Sequence, residues 1–190
     1  MDPVPIEITS ILREIERALD AKLYYLAIAV SLAVPDICAC LEFDPSSRKT
    51  SNIKTYTSWC DSNVKFKNLT GADLWHLRCG VVHAGTFAHH KIPFDRVIFL
   101  TPDSRFKMHD EFLTVAPGTE LGGQSAESLR LSGRLLHMDV LKFCTAIMES
   151  ARAWSIAKAR DPYVQQNMPN LIRYRPDGFP PLSVGVPTIA

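Results

Sequence analysis

Near the middle of this 190-residue chain stands the segment LRCGVVHAG, in which Arg78 is followed five positions later by His83. An arginine stays charged and offers phosphate oxygens a planar fork of donors. A histidine titrates near neutrality and can accept or release a proton. The two types together suit cleavage of a ribose phosphodiester by its own 2′-hydroxyl. The histidine would move protons and the arginine would stabilise the extra charge on the phosphorane. Products would carry 2′,3′-cyclic phosphate and 5′-hydroxyl ends. That chemistry calls for no metal and no organic cofactor. On a straight helix, five residues at about 100° each leave the two side chains about 140° apart. Three arrangements reconcile them: the long arginine wraps round, the helix distorts near Gly80, or the site is built across a dimer.

Other residues that carry chemistry are fewer. His89 and His90 are adjacent beyond Gly85, with no Cys or carboxylate at ligand spacing around them or His83. They read as a surface pair after a helix, placed to contact RNA phosphates beside the motif. His76 lies two residues before Arg78 and is expected to face elsewhere. In His109-Asp110-Glu111 the side chains of a strand alternate, so the acids read as a solvated edge. RYRP at residues 173–176 mixes basic and aromatic side chains that suit single-stranded RNA. The sequence holds no GxGxxG, Walker-type loop, HExxH or GxSxG.

The elements that must position these residues read mainly as helices. Residues 6–34 contain neither Gly nor Pro and repeat apolar positions at helical spacing. Pro35 is expected to end that helix and Asp36 to cap a short successor through Leu41. Residues 52–66 predict a second helix. Thr70, with Asp73 three residues on, predicts a capped third that Gly85 stops. Residues 94–101 and 111–115 are β-rich, and residues 102–105 would turn between them, giving a small hairpin. Residues 125–159 read as one long helix with Leu135, Leu136, Val140, Phe143 and Ile147 on one face, its first turns weakened by Gly133. Residues 161–190 hold six of the thirteen prolines and predict a tail or extended arm. The expected fold is therefore all-α: an up-and-down bundle of four to five helices over residues 1–160, with a β insertion at about 94–121. The expected core includes Leu23, Leu26, Val30, Trp59, Leu74, Leu77, Val81, Phe143 and Ile147.

Composition narrows the setting. With 46% hydrophobic residues, 22% charged residues and a formal net charge of +1, the chain supports one ordinary core. It lacks the basic excess of a protein that coats nucleic acid non-specifically. Five cysteines without a framework spacing point to a reducing cytoplasm. The apolar stretch 23–34 is too short for a membrane span and reads as a core helix.

The Arg78–His83 spacing, the Val34-Pro35-Asp36 end of the first helix, Trp59 on the second and the LRxxxxHxG core together resemble the HEPN (higher eukaryotes and prokaryotes nucleotide-binding) family. The resemblance spans roughly residues 6–158. It implies a compact helical bundle, often a homodimer, and a metal-independent endoribonuclease with Arg78 and His83 as catalytic residues. His89, His90 and Cys79 would lie beside the substrate. It also implies RNA as substrate, and a cognate antitoxin or inhibitor protein where such a nuclease is a toxin or defence effector. Many active members carry Asn or another polar residue directly after the arginine, where this chain has Cys79. A second reading follows from Cys79 and the proline-rich tail: a degenerate module that binds RNA, nucleotide or a protein partner without chemistry.

Overall fold

Between Ile6 and Leu41 the chain makes two long helices, α1 (Ile6–Asp20) and α2 (Tyr24–Leu41), and the break falls well before Pro35. The computed structural model describes residues 4–47, 49–129 and 132–190. At the break Lys22 takes φ 58° and Leu23 N–H donates back to Ala18 O at 2.7 Å. That is a left-handed helix stop made without glycine. Leu23 and Leu26 beside it are each 51% exposed, and Val30 is half-buried. None of the three belongs to the buried core expected of them.

α2 then runs straight through Pro35. A proline inside a helix removes one backbone donor and crowds the preceding turn. Within that turn Leu32 O accepts a buried hydrogen bond from Tyr56 Oη at 3.0 Å. The carbonyl that Pro35 leaves without its helical donor is Ser31 O, one residue earlier, so this bond ties α3 to α2 beside the interruption rather than filling it. α2 is long and apolar enough to cross a membrane by length and composition alone, with mean hydropathy 1.8 over 18 residues. Half of it is buried inside the fold, against α1, α3 (Ile53–Asn63) and α5 (Val140–Ala157).

The remaining elements correct the all-α expectation. Helices account for 48% of the described residues and strands for 16%. β1 (Arg96–Leu100) and β2 (Glu111–Val115) occur where the sequence places strands, but they do not form a hairpin. Two short strands, β3 (Glu120–Leu121) and β4 (Gln124–Ser125), make a separate ribbon. β5 (Gly133–Asp139) then enters between β1 and β2, parallel to the first and antiparallel to the second, so the order is β1-β5-β2. Val97 and Phe112 both sit opposite Leu136.

β5 occupies the first half of the stretch read as a long helix, in which residues 130 and 131 lie outside the described part. Leu135, Leu136, His137 and Met138 are all buried, because both faces of the central strand are covered. Such a strand reads as an unbroken apolar run, which periodicity cannot separate from a buried helix. Gly133 takes φ 105°, outside any helix, and a side chain there would collide with the Asp95 carboxylate. The helix itself starts only at Val140, where Asp139 caps it by accepting Lys142 N–H at 3.0 Å.

The C-terminal segment is folded rather than an extended arm. α6 (Pro162–Asn167) buries Val164, with Met168 behind it. Asn167 Nδ2 donates to Leu41 O and Phe43 O, tying α6 to the end of α2. Beyond it β6 (Tyr174–Arg175) pairs with β9 (Thr188–Ile189), enclosing the ribbon of β7 (Gly178–Phe179) and β8 (Ser183–Val184). RYRP is accordingly committed: Arg173 pairs with Glu7 of α1 at 2.9 Å, and Arg175 lies over the Phe179 ring.

Trp59, Leu74, Leu77, Val81, Phe143 and Ile147 are buried as expected. The Phe143 ring stacks on Phe66 at 5.3 Å and meets Phe99 edge-on at 5.0 Å. Phe99 in turn meets Phe87 at 4.9 Å. This aromatic chain joins α5, β1 and the loop that follows the Arg–His motif.

Candidate functional site

The motif rides on α4 (Gly71–Cys79), and its rotation is set by its first turn. Thr70 Oγ1 accepts Asp73 N–H at 3.2 Å, while an Asp73 carboxylate oxygen accepts Thr70 N–H at 2.9 Å. This reciprocal cap is the one the sequence predicts. Leu74, Leu77 and Val81 then face the core.

After Cys79 the helix widens into a π-turn over Gly80–Ala84, closed when Gly85 N–H donates to Gly80 O. Gly85 sits at φ 61° and stops the helix. Thr86 N–H also reaches Gly80 O, at 3.1 Å, and Tyr25 Oη donates to Val81 O at 3.0 Å. These outside donors stabilise a turn whose ladder is out of register. A Cβ on Gly80 would fall 2.6 Å from Ala88 O and 2.9 Å from Thr86 O, so only glycine lets residues 86–88 lie against the helix. Of the three arrangements open to the Arg–His pair, the helix distorts at Gly80. A turn that takes an extra residue reduces the angular separation of positions five apart.

Arg78 is anchored. Its Nε lies 2.6 Å from Asp36 Oδ2, with the two side chains 24% and 16% exposed, and its guanidinium lies 5.1 Å from the Trp75 ring centroid. No second carboxylate pairs with it among the described residues. Glu42 is occupied elsewhere, accepting Trp154 Nε1 at 2.8 Å and Lys158 Nζ at 2.7 Å. His83 is exposed on the widened turn, and among the described residues it has no hydrogen-bond, ion-pair or ring partner. Cys79 is half-buried between them. Arg78 therefore stands at the end of α4 and His83 in the widened turn that follows, and the two side chains do not touch.

His89 and His90 come together instead with His76. The His76 and His89 rings stack at 4.7 Å and 11°, and His89 and His90 at 4.4 Å and 26°. His89 Nδ1 accepts Lys91 N–H at 3.2 Å, which assigns the proton of the neutral ring to Nε2. His89 and His90 of this column border a cleft of about 570 Å³ that also takes in Ile92, Phe94, Asp95 and Arg134. Among the described residues no three His, Cys, Asp or Glu side chains converge to hold a metal ion. Sequence reasoning missed His76, Asp95 and Arg134 as neighbours, because loop and strand pairing over tens of residues unites them. The available signal was the His pair directly behind a helix stop.

Burial, then the neighbouring His90 and Lys91, lowers the pKa of His89. His76 is lowered by burial and then by His89 and Lys91, against an opposing pull from Asp73. His109 and His137 are also lowered, with burial the main cause. All four stay neutral in the fold at a pH where the unfolded chain has begun to protonate them. Their contribution to stability is present above the ordinary value of 6.5 and is lost as pH falls through the lowered values. The thermal midpoint is expected to drop between about pH 7.5 and about pH 5.5, and His76→Gln with His89→Gln is expected to flatten the slope. Melting curves that are equally steep in pH for wild type and the double variant would remove the imidazole column from this account.

No protein-family model, curated protein or solved structure matches the chain.

Proposed function

We propose that the widened end of α4 is a metal-independent endoribonuclease site of the HEPN kind. His83 moves the proton at the attacking 2′-hydroxyl or the leaving 5′-oxygen, and Arg78 stabilises the phosphorane. The observation that carries this reading is the π-turn at Gly80–Ala84, since it begins just after Arg78, contains His83 and reduces the angle that a straight helix would put between them. Turns of this kind are frequent at functional sites. The Asp36 contact fits the same role: it is an ion pair at Nε without hydrogen-bond geometry, and it leaves the terminal donors of the guanidinium for phosphate. RNA as substrate, a homodimer, an inhibitor protein and a cytoplasmic setting belong to the proposal, the last in keeping with five unpaired thiols.

A second reading has its own support. The Arg78–Asp36 pair neutralises the arginine in a largely covered position, which favours a module that binds RNA, nucleotide or a protein without chemistry.

The deciding experiment is RNA cleavage in EDTA with analysis of the product ends. Wild type is expected to leave cyclic phosphate and 5′-hydroxyl ends. His83→Ala is expected to slow cleavage by about 10²-fold or more, as loss of a proton-transfer group does. Arg78→Lys retains a charge for Asp36 but loses the planar fork, and is expected to slow it comparably. Binding of RNA with equal, negligible cleavage by all three proteins would establish the second reading.

A further inference from the structure

We propose that the cleft between the His89-His90 segment and Arg134 binds a phosphate ester of about mononucleotide size. This proposal stands on residues other than Arg78 and His83 and does not depend on cleavage at α4.

The cation comes first. The central carbon of the Arg134 guanidinium lies over the Phe112 ring, 3.6 Å from its centroid, a cation–π contact that restrains the group. Its side chain is exposed and, among the described residues, has no hydrogen-bond or ion-pair partner. Asp95 lines the same cleft but is occupied by the backbone, accepting Arg134 N–H at 2.6 Å and packing against Gly133. A planar, oriented, unpaired guanidinium is the side chain best shaped to take two phosphate oxygens.

The opposite wall supplies further donors. With Nδ1 of His89 occupied by Lys91 N–H, its Nε2–H remains to be donated. His90 stacks on one face of His89, and His76 of α4 stacks at 4.7 Å, so the ring cannot swing away freely. Lys91 adds an exposed positive charge beside it. Between these polar walls lie Ile92 and Phe94, both buried, with Phe94 packed on Phe112 at 5.6 Å. The arrangement offers donors for a phosphate, and the second oxygen of the Asp95 carboxylate, which the backbone contact leaves over, for a hydroxyl. Its volume of about 570 Å³ falls within the range of roughly 300–1,000 Å³ of small-molecule sites.

The test is a titration of the whole chain with inorganic phosphate, adenosine 5′-monophosphate and adenosine, read by calorimetry and by the histidine ring C–H resonances. The monophosphate is expected to bind at least about tenfold tighter than adenosine. Signals of His89 and His90 are expected to shift, while those of His109 and His137 stay. Arg134→Gln, and separately the pair His89→Ala with His90→Ala, are expected to weaken the monophosphate by about tenfold or more. Arg78→Ala and His83→Ala are expected to leave its affinity unchanged, which separates this site from the cleavage reading. Displacement by a 5′-phosphorylated oligoribonucleotide would assign the phosphate to strand ends. Monophosphate binding without that displacement would assign it to a free nucleotide. Equal affinity for adenosine and its monophosphate, or an Arg134→Gln variant that binds as wild type, would overturn the proposal.

Discussion

Phe143→Ala is expected to lower the unfolding free energy by about 3–5 kcal/mol, the usual loss for a buried aromatic cut back to a methyl group. Phe143 has no solvent exposure. Its ring lies nearly parallel to Phe66, at 8°, and receives Phe99 at 74°. The substitution removes both aromatic contacts and leaves a hole where α5 meets β1, and closing it would mean moving a helix against a sheet. Through Phe99 the damage reaches Phe87, which lies in the loop behind the Arg–His motif. Phe143→Leu fills more of the space and is expected to cost less. Urea midpoints of the two variants check this, and an alanine variant within about 1 kcal/mol of wild type would mean that the aromatic chain does not hold the layers together.

Asp110→Ala is expected to cost about 2–6 kcal/mol, since it strands two part-buried amide donors at about 1–3 kcal/mol each. Asp110 is buried, in a left-handed conformation at φ 56°. Its carboxylate accepts Lys67 N–H and Asn68 N–H, and its carbonyl accepts Asn68 Nδ2 at 2.6 Å. The residue thus joins the start of β2 to the chain just ahead of Thr70, and so to the cap of α4. Asp110→Asn keeps one acceptor oxygen and a residue type that tolerates positive φ, and is expected to recover about half of the loss. Hydrogen exchange at the amides of Lys67 and Asn68 gives the local readout. Unchanged protection in the alanine variant would show that other groups hold this loop. The solvated-edge reading of His109-Asp110-Glu111 fails here because strand alternation does not govern a residue that has left the strand for a turn.

Signals confined to a few neighbouring residues were legible before folding. The Thr70–Asp73 cap, the Gly85 stop, both strands β1 and β2 and most of the buried positions on α3, α4 and α5 follow from local spacing. What could not be read depends on partners distant in the chain. Pro35 stays inside an α2 that packs on α1, α3 and α5, and Lys22 ends α1 with a residue type that carries no stop signal. β5 hides in an apolar run because it is covered on both sides. At the site, Arg78 and His83 could be named from type and spacing, and a distortion near Gly80 was one of three arrangements the spacing left open. The arginine's partner could not, because Asp36 is 42 positions away and meets it only when α2 and α4 pack.

The strand order carries a consequence for how the molecule is made. β1 and β2 are finished early, yet neither pairs with the other, and both await a strand that follows them in the chain. As the polypeptide leaves the ribosome, the first four helices can begin to associate while two strand edges stand open. Those edges close only when residues 133–139 emerge, and α5 and its Phe143 ring follow immediately. The loop bearing His89 and His90 leans on β1, where Val97 N–H donates to Phe87 O. Its final shape therefore belongs to the last third of synthesis, and a nascent chain halted before β5 would hold the Arg–His helix without the cleft beside it.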